Sequence, residues 1–150
     1  MFADVVRCLV GVEHDVGWAA WVTDQLDREG IGAGVSVLHA PLVPHPRAEP
    51  GLSWYDEAAL TEGLRTALHG DRIDLLLIDG PPAYASGMGL ARYPALPVLL
   101  DRLAPGATIV LDDAERAGEQ EVLRRWEGET GLVFDRRAEQ TGLAVATTAR

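Results

Sequence analysis

The sequence predicts an α/β protein with a doubly wound, mainly parallel sheet. Three observations carry that reading. Short runs of branched apolar residues alternate with segments of helical periodicity. The alternation reads strand, helix four times over, then closes on two strands joined by a tight Thr-Gly turn. Three of the apolar runs also end in carboxylates: Glu13 and Asp15 after CLVGV, Asp79 after IDLLLI, and Asp112 with Asp113 after ATIVL.

The elements follow in order. Residues 8–13 read as a buried strand, while 3–7 fit either a helix end or a strand lead. Asp15 is placed to cap a helix over 16–29, with Trp18, Val22 and Leu26 as its apolar stripe. Gly30, Gly32 and Gly34 end that helix, and 35–38 form a short strand. Residues 39–58 read as a long proline-rich loop. A helix over 57–69 carries Leu60, Leu64, Ala67 and Leu68 on one side, and 73–78 form the next strand. A loop containing Pro81, Pro82, Gly87 and Gly89 follows. A helix over 93–103 tolerates Pro94 in its first turn. The PGA turn leads into a strand at 107–112, and 115–130 form an amphipathic helix. Strands at 132–139 and 143–148 make a C-terminal antiparallel hairpin. No repeat and no second domain is visible, so residues 1–150 are expected to be one domain.

Composition bounds the function. Hydrophobic residues make up 47% of the 150, a globular balance. No apolar run approaches the roughly 18–20 residues that span a bilayer. The N-terminal segment has acidic residues and no secretory pattern. The single cysteine, Cys8, excludes an internal disulfide framework and a Cys-based zinc cluster, and its strand context suggests a small core residue. These features point to a cytoplasmic protein with no membrane partner. A net charge of −10 repels phosphate backbones and argues against nucleic acid. There is no lysine, so any mechanism that needs one is excluded.

In open α/β sheets, ligands bind beyond the C-terminal ends of the strands. Carboxylates ending several parallel strands fall on one edge by construction. One such residue alone is commonly just solvated; three together favour a site. Glu13 can accept hydrogen bonds from the ribose hydroxyls of a nucleotide-like cofactor. Asp79, Asp112 and Asp113 offer hard oxygens that suit Mg²⁺ or another divalent cation. Against this, Asp112 or Asp113 could simply cap the following helix. Gly80 lets the backbone approach a ligand, and Pro81 and Pro82 stop further pairing.

The segments VGVEHD, HAPL, WYDEAAL, IDGPPA, ARYPALPVLLDRLAPGATIVLDDAER and GLAV together resemble class I S-adenosylmethionine-dependent methyltransferases. The similarity is greatest to a bacterial group of methyltransferase-domain proteins, and it runs from about residue 8 to the end. It implies a Rossmann-like sheet ending in an antiparallel hairpin. It implies that Glu13 binds the cofactor ribose, that His14 lines the same pocket, and that Ala40, Pro41 and Leu42 border the adenine. Asp79 and Gly80 fall near the methyl donor, with Asp79 as the candidate catalytic residue. Metal-dependent O-methyltransferases of the catechol type carry an Asp-Asn pair where this chain has Asp112-Asp113, and they use a lysine base that is lacking here. The resemblance therefore implies S-adenosylmethionine as cofactor and leaves Mg²⁺ or another divalent cation at Asp79, Asp112 and Asp113 as a candidate.

One departure stands at the start. The family opens with a strand carrying a Gly-rich turn, E/D-x-G-x-G, and no Gly-x-Gly follows a strand in the first 12 residues. The expectation is a chain truncated before that motif and lacking the first family strand, which lies between the strands at 8–13 and 73–78. Those strands are then expected to pair directly or to be bridged by a partner chain.

Two functions follow. One is methyl transfer, most simply O-methylation, to a small-molecule substrate, with His39, His45 and Tyr55 as loop residues that either contact substrate or are merely solvated. The other is a truncated, non-catalytic form that binds the cofactor weakly or not at all. A homo-oligomer is left open. A phospho-receiver needs the absent lysine, and a nicotinamide enzyme needs the absent glycine turn.

Overall fold

The computed structural model describes residues 6–137 and 142–150. The chain divides into two compact units. One takes the chain up to Val43 together with Tyr55–Asp71; the other takes Pro44–Trp54 with Arg72–Arg150.

In the first unit, strand β1 (Leu9–Glu13) leads to helix α1 (Val16–Arg28) and strand β2 (Val35–His39). The two strands run parallel, with Leu9 opposite Val35 and Glu13 opposite His39. This is a right-sized βαβ crossover, as the periodicity predicts. Asp15 caps α1 by accepting the Trp18 N–H at 2.7 Å, and Gly30 follows the helix at φ 68°. Helix α2 lies at Glu57–Ala67, after short strands β3 (Leu42–Pro44) and β4 (Ser53–Tyr55) that pair with each other. Asp56 caps α2 through the Ala59 N–H, and Leu60 and Leu64 are its buried face.

Three expectations change here. The stripe Trp18, Val22, Leu26 is not the buried face of α1, where Ala19 alone is buried. Trp18 and Trp21 are each about half exposed and stack on one another, centroids 4.8 Å apart. Cys8 is exposed rather than in the core. The 39–58 segment is more than a loop: β3 and β4 give it a ribbon, and Trp54 and Tyr55 are buried.

The second unit holds β5 (Ile73–Ile78), α3 (Ala95–Leu99), a 3-10 turn at Leu100–Arg102, β6 (Leu103–Asp112), α4 (Ala117–Thr130), β7 (Asp135–Arg137) and β8 (Leu143–Thr147). Its sheet has the order β5-β6-β8-β7. β5 and β6 are parallel; β8 runs antiparallel to β6 and to β7. The Thr-Gly turn between β7 and β8 falls partly outside the described residues. The expected 93–103 helix is shorter, and β6 starts earlier than 107, because Pro105 and Gly106 are absorbed into an irregular strand start. Gly106 takes φ 78° there and donates its N–H to Ala149 O. The core includes Ile109, Leu111 and Ala144 from β6 and β8, Val122, Leu123 and Trp126 from one face of α4, and Phe134 just before β7.

Among the described residues, β1 pairs with β2 alone and β5 with β6 alone. Direct pairing of these two strands was one of the two expected arrangements, because buried backbone groups must be satisfied, and it is not formed among the described residues. The physical reason that direct pairing is dispensable is exposure. No residue of β1 is buried, and on β5 Leu75 and Leu77 are 44% and 53% exposed, so water can reach the free edges. No described helix is long and apolar enough to cross a membrane.

Helix α4 begins against the 80–92 loop. A Cβ added at Gly118 would lie 2.5 Å from Gly89 Cα, against backbone that cannot swing aside. Gly118→Val is therefore expected to destabilise by about 1–3 kcal/mol. On the same helix, nothing lies within 4 Å of a Cβ at Gly128, and Gly128→Ala should stabilise by about 0.4–1 kcal/mol. Urea unfolding of the two variants checks both signs.

Candidate functional site

In the first unit, the sequence-predicted residues Glu13, His14, His39, Ala40, Pro41 and Leu42 lie at or just after the C-terminal ends of β1 and β2. The Glu13 carboxylate, part-exposed, accepts the Asp15 N–H at 2.7 Å through Oε1. The same oxygen lies 2.9 Å from His14 Nδ1. His39 Nε2 faces the His14 carbonyl at 3.1 Å. The Ala40 N–H donates to the Glu13 carbonyl at 2.9 Å, and the Asp56 N–H to the Pro41 carbonyl at 2.8 Å. Ala40 is fully buried, Pro41 exposed and Leu42 half-buried. Glu13 is thus oriented through one oxygen, and among the described residues the other carries no hydrogen bond. A carboxylate held this way can receive a hydroxyl without first paying to order itself.

His45 and Tyr55 are not solvated loop residues. His45 is 9% exposed, accepts the Arg47 N–H on Nδ1, and packs edge-on to Trp54 with centroids 5.4 Å apart. Tyr55 is likewise buried.

In the second unit, the parallel register of β5 and β6 puts their C-terminal ends side by side, Ile78 opposite Leu111. Asp79 follows β5 directly, and Asp112 is the last residue of β6. Asp79, Asp112 and Asp113 each bring an oxygen within 4.8 Å of the others. Gly80 is half-buried and Pro81 buried. The capping alternative for the Asp pair fails, because α4 starts after Arg116 with no side-chain cap. Instead Asp112 Oδ1 accepts the Asp113 N–H at 2.7 Å. Asp113 adopts φ 57°, a left-handed conformation that costs a non-glycine residue energy and marks a position fixed by its surroundings.

What fixes it is a buried guanidinium. Arg92, its side chain 4% exposed, donates through Nη2 to Asp79 Oδ1 and through Nη1 to Asp113 Oδ2, both at 3.2 Å. It also donates to the carbonyls of Asp112 at 3.2 Å and Pro81 at 3.3 Å. Arg116 Nη1 meets Asp113 Oδ2 at 2.7 Å. Glu119, 1% exposed, lies 3.4 Å from Arg92 Nη1 and has no hydrogen-bond partner among the described residues. Burial pushes its carboxyl up from the ordinary range, against the pull of Arg92.

Sequence reasoning missed Arg92, Arg116 and Glu119. One signal was available. Glu119, Val122, Leu123 and Trp126 occupy one helical stripe, and all four are buried. A carboxylate within an apolar stripe requires a buried cation. Nothing in the sequence pattern identified which arginine supplies it.

No family profile and no curated protein sequence matches the chain. Solved structures do. A methyltransferase from Geobacter sulfurreducens superposes with a TM-score of 0.63 at 15% identity, covering 99% of this chain and 64% of that one. A putative caffeoyl-CoA O-methyltransferase from Staphylococcus aureus gives 0.68 at 11%, covering 99% and 68%. An O-methyltransferase from Bacillus cereus in complex with SAH gives 0.58 at 15%, covering 94% and 62%. The chain therefore spans roughly two thirds of the length of these neighbours. At such identities the likeness speaks to architecture: the chain has the α/β, Rossmann-like fold of class I methyltransferases.

Proposed function

We propose that this chain binds S-adenosylmethionine and transfers its methyl group to a hydroxyl of a small molecule, with residues 1–150 acting as one methyltransferase-like domain. The observation that carries the reading is Glu13: a pre-oriented, accessible carboxylate at the end of β1, beside His14 and the turn at Ala40–Leu42. The fold shared with solved methyltransferases, one of them in complex with SAH, supports it.

In this reading Glu13 accepts the ribose hydroxyls, with His14, Ala40, Pro41 and Leu42 around the nucleoside. Asp79 and Gly80 serve the donor's methyl end. S-adenosylmethionine held there would supply an electrophilic methyl group for the substrate hydroxyl, with S-adenosylhomocysteine as the product released. Asp79, its side chain 65% exposed and anchored by one oxygen to Arg92, takes the hydroxyl proton. Most of the acceleration comes from aligning oxygen, carbon and sulfur. No step requires a metal.

The edges of β1 and β5 that carry no further strand among the described residues favour a second reading, a chain that keeps the fold but holds the donor weakly or not at all. Calorimetric titration with S-adenosylmethionine separates the two. The first reading expects saturable binding that Glu13→Ala weakens about ten- to a hundredfold, the size of a lost hydrogen bond to a charged group. The second expects binding only when the chain is extended upstream with a strand carrying E/D-x-G-x-G. Equal low-micromolar affinity with and without the extension rules out the second reading; no heat from the unextended chain rules out the first.

A further inference from the structure

We propose that Arg92 is the resident cation of the Asp79–Asp112–Asp113 cluster and that it closes the cluster to divalent metals. The inference does not depend on methyl transfer.

Three converging carboxylates are the donor set of a hard cation, which would draw their oxygens to about 2.0–2.6 Å. Here each of the three already spends an oxygen on an N–H donor. Asp79 Oδ1 goes to Arg92, Asp113 Oδ2 to both Arg92 and Arg116, and Asp112 Oδ1 to the Asp113 amide. The Arg92 guanidinium is also tied to two main-chain carbonyls, from the 80–92 loop and from the end of β6, and is flanked by Glu119 on α4. It therefore joins β5, the loop, β6 and α4 in one place. An arginine cannot shed its proton in a protein, so the positive charge is permanent. A divalent ion bound to the same oxygens would sit a few ångströms from that charge, whose side chain is itself buried, so the repulsion is only partly screened. Its planar fork also matches several acceptors at once, which a spherical ion replaces only by displacing the side chain. The residues present therefore do not fit a divalent cation.

A consequence follows for Asp79. It is held by an internal fork rather than by an exchangeable ion, with its remaining surface open to solvent. Arg92 is on this view a positioning residue, and its own role is insensitive to chelators.

The test is binding of Mn²⁺ and Mg²⁺ by the full chain, read by calorimetry and by the melting temperature with metal against chelator. The expected result for the unaltered protein is no saturable binding tighter than about 1 mM, the weak end of oxygen-ligand sites, and no shift in melting temperature. Arg92→Met removes the charge and keeps much of the stem. It should open the cluster, giving saturable Mn²⁺ binding and a metal-dependent rise in melting temperature, both abolished by adding Asp79→Asn. Arg92→Lys keeps a positive charge and should stay closed. Saturable binding tighter than about 1 mM by the unaltered chain, lost in Asp79→Asn, overturns the proposal. So does a folded Arg92→Met variant that binds no metal. If Arg92→Met fails to fold, the unaltered chain and Asp79→Asn decide alone.

Discussion

Arg92→Met should lower the unfolding free energy by about 3–5 kcal/mol, because it strands buried carboxylates without their cation. Glu119 is 1% exposed, and Arg92 is its ion-pair partner. Asp113 keeps Arg116 at 2.7 Å, so the loss falls mainly on Glu119 and on the carbonyls of Pro81 and Asp112. Removing both charges should be milder than removing one. The double variant Arg92→Met/Glu119→Met is expected to recover part of the loss, leaving a coupling of roughly 0.5–3 kcal/mol in a double-mutant cycle. Urea denaturation of the four proteins measures it. Additive single effects would mean that Arg92 and Glu119 do not interact.

Trp126→Ala is expected to cost about 3–5 kcal/mol, the range for removing a large buried aromatic. The indole is fully buried, lies 5.9 Å from the Phe134 ring, and donates Nε1–H to the Tyr93 carbonyl at 2.9 Å. The substitution leaves a cavity and an unanswered carbonyl just after Arg92. The comparison is Trp18→Ala: Trp18 is 55% exposed, and its loss should stay within about 0.5 kcal/mol. Two tryptophans in amphipathic helices thus differ severalfold in effect, and the same denaturation series reads the contrast.

That contrast shows what the sequence could convey. Element order, the parallel pairs and the antiparallel close follow from alternation, glycine stops and the cap at Asp15, all local signals. The β5–β6 register then brings Asp79 beside Asp112 and Asp113, so the acidic cluster was legible from strand ends alone. Which face of α1 is buried was not. Its stripe through Trp18 reads as core by periodicity, yet burial depends on what packs against the helix, and periodicity cannot supply that. Arg92 was hidden for a related reason. It lies in an irregular segment, and its partners come from positions 11, 13, 20, 21 and 27 residues away on different elements. Glu119 alone broke a local pattern.

The proposal rests most heavily on Glu13 as the group that receives the ribose hydroxyls of the methyl donor. The most direct measurement is a titration of the ¹⁵N-labelled chain with S-adenosylhomocysteine, followed residue by residue through its amide resonances. The amides of Glu13, His14, Ala40 and Leu42 are expected to shift together, with one common half-saturation concentration. No saturable shift at these four amides would overturn the assignment of Glu13.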